Sequence, residues 1–381
     1  MEYKALKDIA KITMGQSPDS SNYNETGDGL PFFQGNADFG EVYPTERIWC
    51  NDPKKVAEPK DILISVRAPI GALNYAKDKC CIGRGLAAIS IESDAQRNYV
   101  FHFLKAKNTE LNNKGTGSTF KAIGKSVLED LQVPQISSLE QQKCMDMMDS
   151  IESIIRERKA ELKKFDELMR ARFVEMFGDP VRNPKGWETY QLDECLERID
   201  NGKSFVCSDK PRHGNYPAVL KLSAATYGDY RPSENKALLD ENQFVEGAEV
   251  HPGDLLFTRK NTPELVGMAA YVQETPEKLM MPDLIFRLVT NEKMNPVFLW
   301  QLINCKEFRP VIQGISGGSA KSMSNISKER LGKTKIICPP RQIQDQIVPF
   351  IAQVDKSKAE VQKSLEKTQL LFESLMQQYF G

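Results

Sequence analysis

The residues of this chain best suited to gripping a polyanion lie in a few short segments. Lys114-Gly-Thr-Gly-Ser-Thr-Phe-Lys121 and Ser316-Gly-Gly-Ser-Ala-Lys-Ser322 combine glycine N–H groups, hydroxyls and lysine, a set suited to phosphate oxygens. Candidate phosphate contacts are Lys114, Thr116, Ser118 and Lys121 in the first loop and Ser319 and Lys321 in the second. Gln16-Ser17, Gln34-Gly-Asn36, Arg67, Arg84 and Arg259-Lys260-Asn261-Thr262 hold base-reading types: Arg and Lys bond guanine edges, Asn and Gln adenine edges. Taken singly, either loop reads equally well as a solvated connector, and each base-reading type is more often a structural residue than a base contact. Their weight comes from recurrence.

Catalytic and metal chemistry find no comparable set. The eight cysteines include no C-x-x-C pair, and the three histidines (102, 213 and 251) suggest neither zinc ligation nor a Ser/His/Asp arrangement. Gly83-Arg-Gly-Leu-Ala-Ala resembles part of a dinucleotide fingerprint, but lacks the acidic residue and the βαβ pattern, so a turn between strands is expected. Gly332-Lys-Thr has no glycine five residues before the lysine, so it is no phosphate loop, and Pro339-Pro340-Arg341 does not fit an amino-methyltransferase.

With 381 residues, two or more domains are expected; 40% apolar and 27% charged residues is a globular composition. A net charge of −1 argues against a histone-like coat, though not against charge gathered on one face. No signal peptide and no membrane span are expected, which points to a cytoplasmic protein with reduced, buried thiols.

An internal repeat positions the segments. Ile123 matches Ile326, Leu128 matches Leu331 and Phe177-Gly178 matches Phe380-Gly381, each 203 residues apart. Leu139-Glu-Gln-Gln meets Ile343-Gln-Asp-Gln. Leu6 to Gly15, followed by Gln-Ser, resembles Leu192 to Gly202, followed by Lys-Ser, and KDILISVRAP resembles GDLLFTRKNTP. The offset drifts there, so the globular halves have diverged while the helical halves kept register. β-rich runs are expected at 61–66, 71–76, 82–91, 254–259, 267–272 and 284–290, with helices near 98–112 and 296–309. Long helices are expected over 138–176 and 342–379.

Both long helices carry a heptad seam. Ile151, Ile155, Arg158, Leu162, Phe165, Met169, Arg172 and Met176 form the first; Val354, Lys358, Val361, Leu365, Thr368, Phe372, Leu375 and Tyr379 form the second, each 203 after its counterpart. Helices packed only on their own domains are one reading, and an antiparallel coiled coil between the two is the other. The expected fold class is α+β. Two pseudo-twofold copies each contain a mixed α/β recognition domain (1–137 and 181–341) followed by a spacer helix (138–178 and 342–381).

Over essentially its full length the chain resembles the specificity subunit of a Type I restriction–modification system. The carrying features are the duplication, the paired heptads, MGQSPDSSNYNETGDGLPFFQGNADFG, ILISVRAPIGALNYAKDKCCIGRGLAAI, LLFTRKNTPELVG and the loops GTGSTFKAI and GGSAKSMSNIS. The resemblance implies a non-catalytic subunit reading a bipartite double-stranded DNA target. Two modification subunits would dock on it, with restriction subunits added to the complex. S-adenosylmethionine, ATP and Mg would belong to those partners and no cofactor to this chain. A separate specificity chain serving a fused restriction–methyltransferase polypeptide is the alternative, and a coiled-coil scaffold without a DNA role is a further one.

Overall fold

The computed structural model describes residues 2–117, 121–317 and 323–381. It divides into two compact units, Met1–Ala160 with Gln362–Gly381, and Glu161–Val361.

The first unit is built on a four-stranded antiparallel sheet in the order Lys11–Met14, Leu86–Ser90, Ile62–Ser65, Leu73–Tyr75. The second repeats it strand for strand with Leu196–Asn201, Ile285–Thr290, Leu255–Thr258 and Ala269–Tyr271. Ile62–Ser65 and Leu255–Thr258 are buried throughout and apolar up to a final hydroxyl residue, which marks them as central strands covered on both faces. Asp61 and Asp254 precede these strands and accept the N–H groups of Glu58 and His251 at 3.0 and 2.9 Å. Burial raises both carboxyls above their ordinary range. A two-stranded ribbon also recurs, with Ala5 opposite Gln132 and Gln191 opposite Lys335. What differs is an added sheet: five short strands in the first unit, three in the second.

The expected run 82–91 is divided. Cys80–Ile82 and Leu86–Ser90 are separate strands, and Gly83 and Gly85 donate to Phe33 O and Gln34 O at 2.8 and 3.1 Å instead of continuing the ladder. The helix expected near 98–112 is Asp94–Ala106, capped by Ser93, followed by Asn108–Lys114. Its counterpart near 296–309 is Pro296–Asn304, whose cap Asn295 accepts from Val297 and Phe298 N–H, followed by Arg309–Gly314.

The first long helix runs Ser138–Phe177. The second, expected from 342, begins at Val348 after a short turn, Arg341–Asp345. Pro349 accounts for the break: it has no N–H to continue a ladder and is tolerated only in a first turn. Gln141 and Gln344 fix the register of the repeat here. Each Nε2 reaches back to the carbonyl five residues earlier, Ile136 O at 3.3 Å and Pro339 O at 2.7 Å. The Leu139 and Ile343 match is therefore out by one residue, and the offset of 203 continues into the helices.

Every seam position is buried or half-buried. Within the second unit, Phe165, Met169 and Met176 share a core with Ile347, Ile351 and Val354, and Lys358 Nζ donates to Asp166 Oδ1 at 2.7 Å. Within the first, Phe372, Leu375 and Tyr379 share one with Cys144, Met145 and Met148. A second stripe, outside the seam, enters the globular part of each unit. Phe173 and Phe177 pack on Phe298 with ring centroids at 5.6 and 4.7 Å, and Phe380 packs on Tyr99 and Phe103 at 5.1 and 6.2 Å. The last turns of the second long helix, Val348–Phe380, are thus core of the first unit. All eight cysteines are free, and seven of them are buried. Among the described residues no helix is long and apolar enough to cross a membrane.

Candidate nucleic-acid interface

In the first unit the separate sequence segments converge. Gln16 N–H bonds Ile82 O at 3.0 Å, and Arg84 N–H bonds Ser17 Oγ at 3.3 Å. Gly85 ties this turn to Gln34, whose own N–H is held by Asp38 Oδ2 at 2.8 Å; Asn36 opens the short turn Asn36–Asp38. Val66 N–H bonds Gly85 O at 2.9 Å, and Ala68 N–H bonds Lys121 O at 3.0 Å, which brings in Arg67 and the glycine-serine loop. The close approach demands glycine: a Cβ on Gly15 would lie 2.1 Å from Gly83 O, and one on Gly85 2.4 Å from Gln34 O. Gln16, Gln34, Arg67, Arg84, Lys114, Thr116 and Lys121 are exposed here, with Ser17 and Asn36 half-buried. Lys114 is also paired with Glu110 at 2.7 Å. Ser118 lies outside the described residues.

The second unit sorts its candidates differently. Asn261 is 8% exposed; its amide donates to Thr226 Oγ1 at 3.2 Å and accepts from Thr262 N–H at 2.8 Å. Arg259 is half-buried, with its guanidinium 4.9 Å over the Phe286 ring and 3.3 Å from Asn325 Oδ1. Lys260 is half-buried and Thr262 exposed. Ser319 and Lys321 lie outside the described residues. Arg309 donates 2.6 Å bonds to Val266 O and Gly267 O, and burial pulls its pKa down to about 10.

Two cations were not among the candidates. Lys203 is exposed and follows Gly202, whose N–H bonds Ile285 O as Gly15 N–H bonds Leu86 O. It is the counterpart of Gln16, and the matched Gly-Gln-Ser and Gly-Lys-Ser carried that signal. Arg330 is exposed and lies against Gly317, where an added Cβ would meet its Nη1 at 2.1 Å; no sequence pattern marked it.

A duplicated α+β scaffold, varied mainly in the sheet added to each copy, is the layout of a repeated recognition protein. The chain belongs to the Type I restriction modification DNA specificity domain family, whose pattern matches residues 1–164 and again 184–370. It is 44% identical over 159 residues to the putative type I restriction enzyme MjaX specificity subunit of Methanocaldococcus jannaschii, covering 40% of this chain and 37% of that one. It is 32% identical over 197 residues to the type I restriction enzyme EcoEI specificity subunit of Escherichia coli, covering 50% and 33%. The chain thus spans about a third of the length of these curated relatives. The crystal structure of a Type-I restriction-modification system S subunit from M. genitalium shares the fold, with a TM-score of 0.59 over 100% of this chain and 96% of that one at 12% identity.

Proposed function

We propose that this chain is the DNA-reading subunit of a Type I restriction–modification complex. Each unit reads one half of a bipartite target, and the chemistry is left to modification and restriction subunits that carry S-adenosylmethionine, ATP and Mg. The observation that carries the reading is the double family match, with base-reading side chains gathered at one place in the first unit. The long helices pair antiparallel and form the docking spine. This is supported by the seam's burial, and by each unit containing one recognition fold with segments of both helices. A separate specificity chain of a fused enzyme would share all of this.

Methylome sequencing of a host with and without the chain is the test. A bipartite motif that appears only with the chain is expected; an unchanged methylome removes the reading. Co-purification separates the alternatives, with two kinds of partner subunit expected for Type I and one large partner for the fused enzyme. Calorimetry of the chain alone should give no S-adenosylmethionine binding, and stoichiometric binding would defeat that assignment.

A further inference from the structure

Both units build the same junction at the ends of the central strands Ile62–Ser65 and Leu255–Thr258. In the first, Val66 donates to Gly85 O at 2.9 Å and accepts from Ile123 N–H at 2.9 Å. The next residue, Arg67, bridges to Ala122, which exchanges both backbone hydrogen bonds with Thr116 at 3.0 and 2.9 Å. In the second, Arg259 donates to Leu284 O at 3.0 Å and accepts from Ile326 N–H at 2.8 Å. Lys260 pairs with Asn325, which exchanges both hydrogen bonds with Gly317 at 2.8 and 2.9 Å. Arg67 and Lys260 therefore occupy one structural position, although they are 193 residues apart and the partners Ala122 and Asn325 are 203 apart. Neither side chain has a hydrogen-bond or ion-pair partner among the described residues.

We infer that Arg67 and Lys260 are the equivalent specificity-setting cations of the two recognition folds, one for each half of the target, and that Arg259 is a positioning residue beneath Lys260. The inference rests on the proposed DNA-reading function and goes beyond it by assigning roles. Each cation grows from backbone pinned on both sides, so its reach is fixed. Beside Arg67 the exposed Lys114, Thr116 and Lys121 supply ammonium and hydroxyl groups of the kind a phosphate needs. A guanidinium on a fixed root offers a planar fork matched to guanine O6 and N7, whereas an ammonium is a rotatable point donor. One position filled by two chemistries gives two folds that read differently.

Arg259 stands where the first unit has buried Val66. Its guanidinium covers the Phe286 ring and bonds Asn325 Oδ1, and Asn325 closes the Gly317 neck and backs Lys260. It braces the junction from below.

The test uses the complex assembled with its methyltransferase partners and a library of randomised DNA targets. Arg67→Lys and Lys260→Arg should each shift base preference in one half-site by about 10-fold, and leave the other half-site intact. Arg259→Met should relax base preference in the second half-site and leave the first intact, with an unchanged salt dependence because it touches no phosphate, and Arg259→Lys should restore part of that preference. If the native complex shows no sequence preference, the DNA-reading function itself fails. If the native complex discriminates but both swapped variants keep its motif, or only lower affinity for all sequences, the assignment of Arg67 and Lys260 is overturned. A drop of about one unit in the salt slope for Arg259→Met would make it a phosphate contact instead.

Discussion

Gly15 and Gly202 have no room for a side chain: the Cβ of an alanine would lie 2.1 Å from Gly83 O in one and 2.0 Å from Pro282 O in the other. Both opposing atoms are backbone, so strands must move apart to admit a methyl group. Gly15→Ala should cost about 1–3 kcal/mol in chemical denaturation, and it should impair the first half-site more than the second. At Lys121, exposed beside the junction, the effect should be electrostatic. Lys121→Ala should weaken DNA binding by the assembled complex, lower the salt dependence by about one unit of slope and keep the preferred sequence. An unchanged slope would return the loop to a solvated connector. Residue type alone misleads at Asn261, which has the chemistry to read adenine yet is spent on Thr226 and Thr262. Successive strand residues face opposite sides, and without the register of 260–261 against 324–325 the sequence does not say which side faces solvent. Lys203 was legible, because Gly-Gln-Ser and Gly-Lys-Ser already matched.

Gln344 joins an element to its fold. It is fully buried, and its Nε2 donates to Pro339 O at 2.7 Å and Lys293 O at 2.9 Å while its Oε1 accepts from Asn295 N–H at 2.8 Å. Gln344→Ala leaves three backbone groups without their partner and should destabilise by more than about 2 kcal/mol. Gln141→Ala, which loses a single 3.3 Å bond, should cost about 1 kcal/mol or less in the same assay. Equal losses at the two positions would contradict this ranking. The long helices and their seam were plain in the sequence because a 4-3 period survives over many turns. The aromatic stripe of Phe173, Phe177 and Phe380 was not. These residues lie off the seam, and only the fold shows that a second face of each helix is covered.

On the scale of the whole molecule, the duplication and the order of domain and helix were legible from the offset of 203. The added sheets were not, because short strands between turns carry little period and differ between copies. The compact unit also differs from the sequence segment: residues 362–381 belong with 1–160. Replacing residues 1–135 by a relative's equivalent should change one half-site only. The chimera should be most stable when Met376 and Phe380 are exchanged with it, since both lie in that core. A chimera that folds and alters both half-sites would refute independent readers.

Phe103 and Phe380 touch in one core although 277 residues separate them in the chain. A ribosome adding about 5–20 residues per second needs about 10–40 s to pass from Ala160 to Gln362. During that interval the first recognition fold stands with its Tyr99 and Phe103 face open to water. The second unit is one continuous stretch, Glu161–Val361, and has everything it needs as soon as that stretch emerges. Maturation should therefore run against the order of synthesis. Nascent chains arrested with residue 361 exposed should protect 161–361 from protease while 1–160 remains sensitive, and full protection of 1–160 should arrive only with Phe380.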